Sequence, residues 1–186
     1  MKPLETVYLA GFEAFLPDAE AHDVRRLALA SAAGLKVLIP AFDPGDEAPE
    51  VAARMIYADR AALMRRADAG IVNLTPWRGP ACDPGTAFEA GFMAALGKPV
   101  FAYMNITDED EADYGSRVEA WFGAEREGDG VLRDAYGSLV EDLGLPEGVM
   151  LWAEARRLFL IATDDPMSDL TGLELCFEAV KAYTEA

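Results

Sequence analysis

Positive charge, sulfur and histidine are all scarce in this chain of 186 residues: 16 Lys and Arg stand against 33 Asp and Glu, with two cysteines and one histidine. The formal charge of −17 repels polyphosphate backbones and anionic bilayers, and no basic patch escapes the average. Nucleic-acid polymers and membrane surfaces are therefore not expected as partners, whereas a small neutral or cationic ligand suits the field. Cys82 and Cys176 fit no CxxC or metal spacing and read as reduced cytosolic thiols. A lone His22, with no second His, cannot assemble a metal site. No GxGxxG follows the first apolar run and no GxxxxGK[ST] occurs, which argues against dinucleotide oxidoreductases and P-loop enzymes. Neither cofactor nor metal is expected. Nowhere do about 18 apolar residues follow one another, as a membrane span requires. The N-terminal apolar run is interrupted by Glu5, Glu13 and Asp18, unlike a signal peptide. The expectation is a soluble, cytoplasmic protein.

What remains is the composition of a folded domain, 52% hydrophobic and 26% charged. The length suits one unit over residues 1–186, its last part, 151–186, read as a helical extension. Thr6 to Ala10 is a β-prone run, and helical spacing follows from Asp18 to Ala33, closed by Gly34. Leu35 to Ile39 is a second strand. Pro49 to Ala67 is a long helix, with Val51, Met55, Ile56, Ala62 and Leu63 as its apolar positions. Gly70 to Leu74, Gly85 to Leu96 and Lys98 to Tyr103 read as strand, helix and strand. Such alternation gives a parallel sheet covered by helices on both faces, an α/β fold. Beyond Met104 the pattern weakens. Val118 to Phe122, Val131 to Leu143, Leu151 to Ile161 and Leu170 to Tyr183 look helical, and a fifth strand is expected, without a position, between Met104 and Met150. The acidic run 107–113 lacks the glycine and terminal glutamate of a calcium loop and reads as solvated surface.

Ligands of open parallel sheets bind beyond the carboxyl ends of the strands. The loop after the third strand runs from Thr75 to Pro84 and feeds a helix opened by Gly85 and Thr86, with Glu89 in its first turns. Free N–H groups and the helix dipole favour an ionised carboxylate there, suited to be a nucleophile. The same spacing is that of a capping box between Thr86 and Glu89. Asp83, Asp59 and Tyr8 are candidates to converge on Glu89, and two carboxylates beside a phenol allow one acid to attack and another to deliver a proton. Phe12, Phe15 and Trp77 are candidates for the pocket wall, though large apolar side chains near strand ends are also ordinary core. Arg78 reads as a solvated loop arginine, and Cys82 as a neighbour of the site rather than a nucleophile.

Through residues 7–11 (VYLAG), 67–80 (ADAGIVNLTPWRGP) and 83–91 (DPGTAFEAG), the chain resembles the nucleoside 2-deoxyribosyltransferases. Residues 94–103 (AALGKPVFAY) and 140–146 (VEDLGLP) extend the resemblance over about residues 5 to 150. It implies a flavodoxin-like, doubly wound parallel sheet of about five strands, and transfer of 2-deoxyribose between nucleobases. The residue matched by Glu89 would attack the anomeric carbon and form a covalent deoxyribosyl-enzyme. That matched by Tyr8 would orient the carboxylate, and those matched by Asp59 and Asp83 would hold the base and supply its proton. Which aspartate is the acid stays open. Gly11, Gly79 and Gly85, within the matching motifs, would line the substrate site. The resemblance further implies a homo-oligomer built of dimers, commonly a hexamer, with Met150 reaching a neighbour's sugar pocket. The family's asparagine two residues before that methionine is here Gly148, which puts recognition of the sugar hydroxyl in question. Deoxynucleosides and free nucleobases are the expected partners. The alternatives are a nucleoside or nucleotide N-glycosidase with water as acceptor, and a non-catalytic nucleotide-binding module in which Glu89 only caps a helix. Gly85, Thr86 and Glu89 also resemble part of the PGGxGTxxE signature of phosphoribohydrolases of the lysine-decarboxylase-like family, without its double glycine.

Overall fold

The computed structural model describes residues 3–183. Its centre is a parallel sheet of β1 (Thr6–Ala10), β2 (Lys36–Leu38), β3 (Ala69–Asn73), β4 (Val100–Ile106) and, late in the chain, β7 (Ala155–Ala162). They lie in the order β2-β1-β3-β4-β7, every neighbouring pair parallel. The chain steps from β1 outward to β2 and then returns to lay β3 on the other side of β1. The crevice at the carboxyl ends of β1 and β3 is thus the topological switch point, where open α/β sheets bind ligands.

Helices α2 (Pro49–Arg66) and α3 (Pro84–Ala95) cover one face, packing Met64, Ala90 and Met93 against Tyr8, Val72 and Ala102. Helices α1 (Ala19–Ala33) and α6 (Thr171–Ala182) cover the other, packing Ala30, Leu173 and Phe177 against Val7, Ile71 and Tyr103. Both faces of β3 and β4 are therefore buried, so these strands read as unbroken apolar runs rather than alternating ones. Gly34 ends α1 in the left-handed conformation, φ 74°, as its position predicts. At Gly172 a Cβ would lie 2.6 Å from the Cβ of Tyr103, so this glycine lets α6 settle directly on β4.

The α/β class and the elements up to β4 agree with the sequence reading to within a residue or two at most ends, β4 continuing further, to Ile106. The second half needs correction. The fifth strand does not lie before Met150: it is β7, in the stretch expected to be helical, and only α5 (Val149–Glu154) is helix there. An apolar run such as Leu158 to Ile161 is of strand length as well as helix length, and the open edge of the buried β4 decides between them. The expected helix from Val131 to Leu143 is also absent. A small antiparallel pair, β5 (Glu125–Arg126) and β6 (Leu132–Arg133), occupies that region, followed by a turn tied by the Asp134 side chain to the backbone N–H groups of Tyr136 and Ser138. Helix α4 (Tyr114–Phe122) contains the expected segment.

Candidate active site

Helix α3 starts at Pro84, whose missing N–H costs nothing at a first-turn position. Its N-cap is Asp83, not Thr86: Asp83 Oδ2 accepts from the Thr86 backbone N–H at 3.0 Å and from its hydroxyl at 3.4 Å. A Cβ at residue 85 would lie 2.8 Å from that same oxygen, so glycine leaves room for the cap. With the cap taken by Asp83, the Thr86–Glu89 capping box does not form. Glu89 falls in the second turn, and its side chain turns inward.

There Glu89 is 4% exposed, and its Oε1 accepts a hydrogen bond of 2.6 Å from Arg60 Nη1 of α2. The Tyr8 hydroxyl, from β1, is buried beside the carboxylate and faces it as its hydrogen-bond acceptor. Burial pushes the Glu89 carboxyl above its ordinary range, while the charge and hydrogen bond of Arg60 pull it back. The Tyr8 phenol is raised further, by burial first and by the charge of Glu89 second, so it keeps its proton. A carboxylate, a guanidinium and a neutral phenol thus meet at the switch point.

Glu89 and Arg60 line a cavity of about 540 Å³ between α2, α3 and the segment before α2. Most of the remaining wall is apolar, including Phe15, Phe42, Tyr57 and Phe88. Phe15 meets Phe42 edge-on at 5.1 Å, and Tyr57 meets Phe88 at 6.3 Å. The volume and the aromatic walls suit a flat heterocycle with a small appendage.

The other residues singled out from sequence are distributed unevenly. Gly85 and Phe15 line the cavity. Phe12 is fully buried and stacks on Trp77 at 4.5 Å, which fixes the loop after β3 outside the cavity wall. Gly11 and Gly79 sit in the loops after β1 and β3 but do not line the cavity. Met150 is 82% exposed on α5 and does not line this cavity. Asp59 is exposed and borders a depression beside Pro40, Asp43 and Leu63 that shares Ile56 and Arg60 with this cavity.

Arg60 was not foreseen, and the reason is helical phase. Ala52, Ile56, Arg60 and Met64 recur every four residues and face inward, whereas Val51 and Met55, taken as the apolar stripe, are exposed. The inward stripe of Ala52, Ile56 and Met64 includes Arg60.

Two further buried polar clusters brace the site. Arg117 of α4 donates to the carbonyls of Pro80 at 2.7 Å and Glu111 at 2.8 Å, and also to that of Pro146, with Glu147 3.9 Å away. One guanidinium thereby joins the loop after β3 to two distant segments. On the opposite face of the sheet, Glu13 accepts from Asn73 at 3.0 Å and from the Tyr103 hydroxyl at 3.1 Å, with Arg26 3.6 Å away. His22 is buried next to this cluster, and its Nδ1 accepts from Arg25 at 2.8 Å, which leaves the ring proton on Nε2.

Comparison with known proteins bears on the family and the fold. The family model described as nucleoside 2-deoxyribosyltransferase matches residues 7–150. A curated but uncharacterized protein of Schizosaccharomyces pombe is 36% identical over 160 residues, covering 77% of this chain and 74% of its own. Among solved structures, a "2-desoxiribosyltransferase from Leishmania mexicana" is 28% identical, covers 94% of this chain and 97% of its own, and superposes with a TM-score of 0.65.

Proposed function

The chain belongs to the nucleoside 2-deoxyribosyltransferase family, and from that premise we propose that it transfers 2-deoxyribose between nucleobases by double displacement through a deoxyribosyl ester of Glu89. The observation that carries this reading is a single buried carboxylate, held by Arg60 and Tyr8, opening on an aromatic-walled cavity at the sheet's switch point. A mere cap would sit at the first turn and face solvent; the cap here is Asp83.

In the first displacement a Glu89 oxygen bonds to C1′ as the C1′–N bond breaks, and the electron pair of that bond leaves with the base. In the second, a ring nitrogen of the incoming base bonds to C1′ and gives up its proton, balancing the one the departed base takes up, the ester C–O bond breaks and Glu89 is restored. Two inversions give retention. Arg60 orients the attacking carboxylate and favours its ionised form, against the burial that opposes it. Tyr8 stays neutral and limits the positions the carboxylate can take. Asp83 acts at one remove, by fixing the first turn of α3 on which Glu89 stands.

The test is incubation with deoxyinosine, with and without free adenine. New deoxyadenosine and hypoxanthine are expected. Free deoxyribose at a rate indifferent to adenine would replace this reading with hydrolysis. Brief exposure to deoxyinosine alone should raise the intact mass by one deoxyribosyl group, and the gain should disappear in Glu89→Gln. No turnover and no adduct with the folded protein would overturn catalysis altogether.

A further inference from the structure

An open sheet has two edges, and here they differ. At one edge β2 is only three residues long, which leaves little backbone for another strand to join. At the other, β7 runs for eight residues and pairs on one side only, with β4. No proline interrupts it. The Thr163 backbone N–H donates to the carbonyl of Ile106. Backbone direction alternates along a strand, so the N–H and C=O groups of Leu158, Leu160 and Ala162 point away from β4. Among the described residues nothing bonds to them there. Leu160, 37% exposed, is the large apolar side chain that this edge leaves in the open.

Charge is arranged end to end along this edge. Arg156 and Arg157 stand at the start of β7, Asp164 and Asp165 follow its end, and all four are exposed. Among the described residues Arg156 reaches only Glu154, at 3.9 Å, and the side chains of Arg157, Asp164 and Asp165 enter no hydrogen bond or ion pair. A charge that serves only to repel a second strand does most in the middle of the edge. Here the middle, Leu158 to Ile161, is apolar, and the charges sit at the two ends with opposite sign. Such ends repel a parallel copy in register, Arg on Arg and Asp on Asp, and attract an antiparallel one.

We propose that β7 is a self-complementary edge at which two copies of this chain join, the second β7 running antiparallel about a two-fold axis through Leu160. The outward backbone groups fix the register, because opposite residues of a hydrogen-bonded pair must point at each other. Leu160 then meets its own counterpart, Leu158 meets Ala162 of the second copy, and the two backbones exchange N–H···O=C bonds. The same register sets Arg156 opposite Asp164 on both sides of the axis, with Arg157 and Asp165 alongside. A contact of this kind uses the same patch on both subunits and closes at two. The two five-stranded sheets become one. β7 gives no residue to the cavity lined by Glu89 and Arg60, so this inference stands apart from the transfer reading.

The register can be tested by cross-linking. Opposite residues of a hydrogen-bonded antiparallel pair have Cα atoms about 5.5 Å apart, within the range that a disulfide spans. Leu160→Cys should therefore give a covalent dimer under mild oxidation. The native chain, whose Cys82 and Cys176 are buried, should not. Charge reversal asks the same question without a thiol. The double variants R156E/R157E and D164R/D165R change exposed side chains only and should keep the native circular dichroism. Each alone should show half the native mass by light scattering. Mixing the two should restore it, because every glutamate and aspartate at the edge then faces an arginine. A native chain that is monomeric by light scattering would overturn the proposal. So would reversed variants that keep the native mass, which would show that copies meet elsewhere, a mixture that stays apart, or a Leu160→Cys variant that does not cross-link. None of these outcomes touches the transfer reading, which is measured on nucleosides.

Discussion

The Tyr8 hydroxyl is buried beside a buried carboxylate, a costly pair of neighbours for folding alone. Replacing it should separate stability from activity. Tyr8→Phe is expected to leave the thermal midpoint unchanged or raised, while transfer falls about tenfold, the scale of one hydrogen-bond-sized interaction. Glu89→Gln should reduce transfer by on the order of 10⁴ or more, as loss of a nucleophile does. Asp83 divides along the same line. Asp83→Ala should cost about 1 kcal/mol by uncapping α3, whereas Asp83→Ser retains a capping oxygen and should preserve both stability and turnover. A Ser variant that is stable but inactive would return Asp83 to the role of proton donor. Glu89, Tyr8 and Asp83 were all named from the sequence, yet the residue that caps α3 was not. Which of Asp83 and Thr86 caps the helix depends on the backbone at residues 83 to 86, and a spacing of three residues fits more than one geometry.

Elements differ in how legible they are. Strands β1, β3 and β4 and helices α1 to α3 were read from apolar runs punctuated by Gly34 at the end of α1 and Pro49 at the start of α2, since local punctuation and periodicity agree there. Strand β7 was misread because its identity depends on β4, about fifty residues earlier in the chain, which no local pattern encodes. Helix α2 was located correctly, and of its expected apolar positions Ile56 and Leu63 face inward while Val51 and Met55 do not. With Val51 and Met55 outward, Arg60 enters the cavity, which adjoins the depression bordered by Asp59. Arg117 escaped notice because an arginine bonded to three carbonyls has no sequence signature. Its removal strands Glu147 and those carbonyls, so Arg117→Met should destabilise by roughly 3 kcal/mol. Thermal unfolding would measure the loss, and faster proteolysis of the 75–84 loop would locate it.

At the scale of the molecule, charge and proton uptake set the working range. His22 is buried with its pKa lowered from the ordinary 6.5, mainly by burial, against the opposing pull of Glu13 and with the added repulsion of Arg26 and Arg25. A histidine depressed in the folded state binds fewer protons than in the unfolded chain. Its contribution to stability is therefore complete above about pH 6.5 and is lost as the pH falls below it. Denaturant midpoints should drop on acidification through this range, and by less in His22→Gln. The charge of −17 adds self-repulsion, which salt screens: between about 0.01 and 0.15 M the Debye length falls from about 30 to 8 Å. The thermal midpoint should rise over that interval. The cavity carries a kinetic consequence. A sugar esterified to Glu89 would stand among Phe15, Phe42, Ile56 and Phe88, side chains that offer a water molecule nothing to bond to. A flat base fills that hollow readily and a lone solvent molecule does not, so the ester should outlast encounters with bulk water and await its second partner.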